Sequence, residues 1–352
     1  MSVQRLKDEL KTGEAFLIVS TENRRYLTDF AADDDYLLIT KDKCIFFADS
    51  RYIEAAGKNA KDCDEIVLLK KAGEQLPQIC KELNISKIYT EAQKLSVSEF
   101  NSLCKMFDFP VAAEKADEII ISSRRAKKEY EKQRIIKAQR IAEKAFDHIL
   151  TFIRPGVTEK DIRLELEYFM LRNGADGLSF DTIAISGKNT SLPHGVPTLK
   201  KIESGDFVTM DYGACVDGYR SDMTRTVAVG SVSEKQMKIY ETVLRAQLAC
   251  LDVLRPGIEC KTADAAARNI IAGAGYGDCF GHGTGHGVGI DIHEAPSVSP
   301  RSKDILSVGD VVTVEPGIYL PGEFGVRIED MAFITENGYE NLTECKKSLI
   351  VL

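Results

Sequence analysis

The 352-residue sequence has no tryptophan, no run of 18 apolar residues, no Cys-x-x-Cys pair and only five histidines. The missing tryptophan excludes nothing. The missing apolar run excludes a membrane-spanning helix, and the first residues, MSVQRLKDELKTGEAF, lack the apolar stretch of a secretory signal, so a cytoplasmic protein is expected. Nine cysteines, an odd number scattered from Cys44 to Cys345, have no metal-finger spacing and fit reduced thiols serving as small buried hydrophobes. Positive charge is also short. Lys and Arg total 46 against 54 Asp and Glu, a formal charge of −8 that repels phosphate backbones and argues against nucleic acid as a partner. The one basic run, Arg124 to Lys132, is interrupted by acids.

What is present points to two domains, since the length exceeds what one core usually supports. About the first 120 residues alternate strand-like runs (FLIVS, YLLIT, CIFFAD, EIVLL, KIYTE) with helix-like ones such as Ser50 to Lys61 and Gly73 to Asn84, the pattern of a compact α/β domain. A long helix follows, expected to be capped by Ser122 or Ser123, with an apolar face through Ile135, Ala138, Ala142, Ala145, Ile149 and Ile153. The boundary therefore belongs near residues 121–126, giving domains of residues 1–122 and 123–352.

The second part is internally duplicated. HILTFIRPGVTEKDI is echoed by ACLDVLRPGIECKTAD, with Arg154 and Arg255 separated by 101 residues. GDFVTMDYG is echoed by GDVVTVEPG at an offset of 104, and RSDM by RIED at 107. Three matches in the same order imply two similar αβ halves. Asp211 ends the apolar strand from Phe207, and Glu315 holds the equivalent place after Val311–Val314. Asp222 is expected to open the strand DMTRTVAV, and Glu329 to lie within a strand VRIEDMAFI. Pseudo-two-fold packing would bring these four acids to one point. Taken singly, each could be a turn cap or a partner of Arg220 or Arg327. Gathered in a core, they must be compensated by protons, bases or cations, and hard oxygen ligands around two divalent ions account for the pattern best.

Four of the histidines fall in two glycine-rich places, SLPHGVP (His194) and FGHGTGHGVGIDIHEAP (His282, His286, His293), where glycine lets backbone pass close to a ligand. Neither GxGxxG nor GxxxxGK[ST] occurs there, which disfavours a nucleotide. His148, on the long helix, reads as structural.

Taken together, these residues resemble metallopeptidase family M24, closest to its Xaa-Pro aminopeptidase and prolidase branch, across essentially the whole chain. The resemblance rests on Asp211 in VTMDYG, Asp222 in RSDMTRT, His286 in GHGVG, His293 in IHEAP, Glu315 in TVEPG and Glu329 in VRIED, with ENRRYLTDF and ADSRYIEAA similar to a creatinase-type amino-terminal module. It implies a "pita-bread" α/β fold, in which a small amino-terminal domain precedes two duplicated halves around a curved antiparallel sheet. It further implies that Asp211, Asp222, His286, Glu315 and Glu329 hold two metal ions, manganese first and cobalt or zinc next, with a bridging hydroxide as nucleophile. Glu315 would also shuttle a proton, His293 polarise the scissile carbonyl, His194 and His282 shape the proline side, and Arg327 and Arg220 orient metal carboxylates. His286 takes the metal role over His282 because it alone stands seven residues before His293.

By the same resemblance the substrates are peptides with proline in second position and the chain forms a homodimer. The methionine-aminopeptidase branch is disfavoured by the amino-terminal domain and by the extra His282. In some microbial prolidases an arginine follows the His-Glu-x-Pro run, whereas Ser297 stands there in this chain. That departure favours an aminopeptidase acting on longer peptides, with a dipeptidase as the alternative. A non-enzymatic binding module on the same fold is the remaining reading, opposed by the complete ligand set.

Overall fold

The computed structural model describes residues 2–113 and 115–352, and the chain divides into two compact units that meet between Arg124 and Arg125. In the first unit the apolar runs form strands β1 (Glu14–Ile18), β2 (Tyr36–Thr40), β3 (Cys44–Ala48), β4 (Glu65–Leu68), β5 (Lys87–Thr90) and β6 (Val111–Ala113). They build one six-stranded mixed sheet in the order β4-β3-β2-β1-β5-β6. Helices α1 (Ser2–Asp8), α2 (Thr21–Thr28), α3 (Ile53–Asn59), α4 (Ala72–Glu82), α5 (Val97–Met106) and α6 (Ala116–Arg125) complete the unit. β1–β3 carry near-continuous apolar runs because they are buried on both faces.

The single long helix expected from Ser122 or Ser123 is in fact two. Both serines lie inside α6, where their hydroxyls donate back to the Ile119 carbonyl (3.0 and 2.7 Å) and so cannot cap a following helix. Helix α7 (Glu129–Ile149) starts after Lys128, whose N–H donates to the Glu131 carboxylate at 2.9 Å. The expected apolar face is buried from Ile135 to Ile149, while Ile153 is buried beyond the helix end.

The duplication shows as two sets of elements, each with its own core. The first half contains α7, α8 (Glu159–Arg172), β7 (Gly177–Leu178), β8 (Ile183–Ser186), β9 (Phe207–Tyr212), β10 (Ala214–Val216), β11 (Tyr219–Arg220) and β12 (Met223–Ala228). Its core runs from Ala138 and Phe146 through Leu166 and Met170 to Val208, Met210 and Val227. The second half contains α9 (Glu234–Val253), α10 (Cys260–Gly273), β13 (Gly285–Gly287), β14 (Glu294–Val298), β15 (Val311–Val314), β16 (Gly317–Leu320), β17 (Phe324–Arg327), β18 (Asp330–Thr335) and β19 (Gly338–Asn341). α9 and α10 back its core, packed on Val312, Val314, Val326 and Ala332.

The strands form antiparallel segments, β12-β9-β8 in the first half and β14-β13-β15-β18-β19 in the second, with smaller sets β11-β10-β7 and β16-β17 beside them. β9 pairs with β12 as β15 pairs with β18, which is the repeat seen in the sequence. Two expectations change. Asp222 immediately precedes β12 rather than opening it, and VRIEDMAFI is not one strand. β17 pairs with β16 and β18 with β15, so the chain changes partner at Ile328–Glu329, leaving Glu329 in the break.

Candidate metal centre and its cavity

Each acid reaches the centre for a reason of strand geometry. Asp211 lies near the end of β9, opposite Thr224 of β12. Glu315 follows β15, and its N–H donates to the Thr284 carbonyl at 2.8 Å. The halves join where the Glu329 N–H meets the Thr224 carbonyl (3.2 Å) and the Thr224 hydroxyl donates to Glu329 Oε2 (2.6 Å). Asp222 and Glu329 are only 4% and 1% exposed.

His286 is delivered by β13, threaded between β14 and β15. A Cβ at Gly285 would stand 1.9 Å from the Thr313 carbonyl oxygen, and one at Gly287 2.4 Å from that of Ala295, so only glycine on both sides of His286 lets the strand fit. Nδ1 of His286 faces its neighbour's carbonyl, Gly287 O, at 3.1 Å. Donation there leaves the Nε2 lone pair facing Asp222 Oδ2 (3.5 Å) and Glu315 Oε1 (3.4 Å). Asp222, His286 and Glu329 each offer a ligand atom within 4.8 Å of the others.

The crowded acids call for compensation by protons or a cation. Burial first, and then the charges of Glu329, Asp211 and Glu315, push the Asp222 carboxyl well above its usual range. Glu329 is likewise held well above by burial and the charges of Glu315 and Asp211. Burial pushes Glu315 up to about 8 and pulls His286 down to about 4, so its imidazole is neutral and available as a ligand. Arg327 donates from Nη2 to Asp211 Oδ2 at 2.6 Å and remains charged despite its burial, because Tyr319, Asp211 and Glu315 hold its pKa well above the usual value. One guanidinium cannot neutralise four acids. Asp211 Oδ1 is buried without a hydrogen-bond partner among the described residues, on a residue that lines the same cavity as His286. This set of carboxylates and one neutral imidazole fits hard divalent ions.

The centre forms part of a cavity of about 560 Å³ whose wall includes all five expected ligands together with His194, His282, His293 and Arg327. His293 packs edge-on against His286 at 4.4 Å. The His282 ring, with its pKa pulled down to about 4 chiefly by burial, places Nε2 2.9 Å from the Tyr319 hydroxyl, and that hydroxyl accepts from Arg327 Nη1 at 2.8 Å. His194 sits on a loop pinned by the buried Glu159 carboxylate, which accepts from Ser186, Asn189 and Thr198.

Arg220 departs from expectation. Its guanidinium is occupied by the carbonyls of Ile290 (2.9 Å), Leu178 (3.4 Å) and Ser179, so it braces loops instead of orienting Asp222. The orienting groups around the acids include hydroxyls that sequence reasoning passed over. Thr224 accepts from Arg327 Nε (3.1 Å) while donating to Glu329, and Thr313 links the His286 N–H (3.1 Å) to Glu315 Oε1 (3.2 Å). Thr313 stands two residues before Glu315 and Thr224 two after Asp222, a strand-period signal that could have found them. Tyr319 and Arg163, also on the cavity wall in the latter case, had no such signal.

The pattern of Metallopeptidase family M24 matches residues 133–336, and that of the Creatinase/Prolidase N-terminal domain residues 3–126. The chain is similar to an Xaa-Pro dipeptidase of Pyrococcus furiosus, 39% identical over 90% of this chain and 88% of the relative. Among solved structures it is similar to an Xaa-Pro dipeptidase from Bacillus anthracis, with TM-score 0.95 and 41% identity over 100% of this chain and 99% of the other. It is also similar to an X-Pro aminopeptidase from Thermotoga maritima, with TM-score 0.91 and 36% identity over 98% and 99%.

Proposed function

The chain belongs to metallopeptidase family M24, and from that premise we propose that it is an Xaa-Pro dipeptidase, cleaving the bond before a carboxy-terminal proline. The observation that carries the dipeptide reading is Arg163. A dipeptidase must meet its substrate's free carboxylate with a cation, and Ser297 cannot supply one. Arg163, from α8, reaches the wall of the same cavity. Its Nε is held by Glu167 at 2.7 Å, while among the described residues Nη2 has only a loose 3.8 Å contact with the fully exposed Asp181 carboxylate. Arg327, the other arginine on the wall, is already committed to Asp211, Tyr319, Thr224 and Pro193.

In this reading residues 123–352 are the catalytic domain and 1–122 an accessory one. Asp211, Asp222, His286, Glu315 and Glu329 hold two divalent ions, manganese by family analogy, which when bound supply Lewis acidity and a lowered pKa for water. Glu315, on the cavity wall beside His286, carries a proton to the departing proline nitrogen. His293 donates to the scissile carbonyl oxygen as negative charge develops on it. His194 and His282 line the proline side, the latter fixed by Tyr319. A homodimer and a cytoplasmic location belong to the same reading.

The aminopeptidase expected from Ser297 remains the second reading, favoured by the likeness to the Thermotoga protein. Hydrolysis of Ala-Pro, Ala-Pro-amide and Ala-Pro-Ala by manganese-loaded protein separates the two. Preference for Ala-Pro, lost by about 10–100-fold in Arg163→Ala while Ala-Pro-amide is unaffected, is expected for a cation worth a charge-assisted hydrogen bond. Preference for Ala-Pro-Ala would make it an aminopeptidase.

A further inference from the structure

The chain next to His293 is tied to a charge outside the cavity. The next residue, Glu294, opens β14 and stands opposite Gly287, where the β13–β14 register shifts beside His286. Its carboxylate is directed inward, and Oε1 lies 2.8 Å from Lys127 Nζ, with the two side chains 10% and 1% exposed. The glycine-rich run makes room for this contact. A Cβ at Gly289 would stand 1.7 Å from Glu294 Oε1 and 3.1 Å from Lys127 Cε. Lys127 is itself anchored. Its N–H donates to the Gly309 carbonyl at 2.9 Å, and Arg125, two residues before it, binds Asp310 at 2.8 Å.

Stability alone does not explain a lysine buried here. Desolvating two charges offsets most of their attraction, and the ammonium meets Glu294 without the alignment of a hydrogen bond. The pair does lock the start of β14 to the segment preceding α7, which fixes the backbone of His293 against β13. We propose that Lys127 and Glu294 are positioning residues that hold His293 in register with His286 and thereby with the scissile carbonyl. This rests on the role given to His293 above. A displacement of about 1 Å in such a group is enough to lower turnover by about 10²-fold.

The test is a double-mutant cycle on Ala-Pro hydrolysis with bound metal measured in parallel, using Lys127→Met, which keeps volume and removes charge, together with His293→Ala and the double variant. Lys127→Met is expected to lower kcat by about 10–100-fold, with KM and metal content unchanged and Lys127→Arg regaining most of the rate. In the His293→Ala background it should cost nothing more. An equal loss in both backgrounds, or loss of metal together with rate, would overturn the proposal. Glu294→Gln carries the same expectations should Lys127→Met not fold. Wild-type turnover by His293→Ala would sink the role of His293 itself, a failure distinct from additivity of the two substitutions.

Discussion

The two halves of the second unit supply carboxylates from equivalent places, aspartates in the first and glutamates in the second, but surround them differently. In the first half Asp211 ends up against Arg327, and the preceding threonine, Thr209, uses its hydroxyl on Thr226 of the adjacent strand (3.0 Å). In the second, the equivalent Thr313 is turned to the centre, where it holds both Glu315 and the His286 backbone. The third strand differs more. β8, beside β9, reads Ile-Ala-Ile-Ser and presents no ligand, whereas β13, beside β15, reads Gly-His-Gly. Duplication thus accounts for a four-acid cage, and its breaking at one strand accounts for the single nitrogen donor. A symmetric cage would offer only hard oxygen; one imidazole on one side would make two ion positions in it unequal.

The largest effect should come from the shared acids. Glu329→Ala removes the group where the halves meet, and kcat/KM is expected to fall on the order of 10⁴-fold, within the span of enzymatic rate enhancement, with metal analysis showing depleted ions. Retained metal and rate would mean the halves do not share a centre. His286→Ala should lose metal, while His282→Ala should keep it and lose about 10²–10³-fold in turnover through disturbed substrate positioning. Equal metal content in both variants would remove the distinction between these two histidines.

A stability measurement follows from the crowded acids. Without ions, Glu315 has a folded pKa of about 8, above its ordinary 4.5. Between those values the native state binds a proton that the unfolded chain has released, so stability falls as pH rises through this window. Thermal unfolding of chelator-treated protein should therefore show Tm declining from pH 5 to 8, and added manganese should remove most of that slope. A flat apoprotein profile would contradict the crowding. The smallest effects belong to the threonines. Thr313→Val leaves the His286 N–H and Glu315 short of a partner and should cost about 1–3 kcal/mol in stability or metal affinity. Thr209→Val, whose partner Thr226 has a second bond to the Arg327 carbonyl, should cost about 1 kcal/mol or less by isothermal titration or melting.

Much of this was legible from residues alone. Alternating strand and helix patterns located five of the six amino-terminal strands; β6, the three residues Val111–Ala113, was too short to stand out. The offsets of the duplicated segments announced four converging acids, because a repeat carries its geometry with its sequence. Where local pattern and structure differ, non-local contacts decide. Ser122 and Ser123 are plausible caps in sequence, but the helix containing them begins earlier and uses their hydroxyls internally. VRIEDMAFI has the composition of one strand, yet its ends pair with different neighbours. Arg220 and Arg327 occupy repeat-related places, and only packing determined that one binds backbone and the other Asp211.

The sequence by itself therefore determined the two-part organisation, the duplicated halves and the identity of the acids and histidines, since these depend on residue type and on periodicities local to each element. Tertiary structure alone decided which charges face one another. Arg163 reaches a cavity whose other walls lie up to 166 residues away along the chain, and Lys127 meets Glu294 across 167. Side-chain partners at such separations are fixed by how strands and helices pack, and no local pattern encodes them.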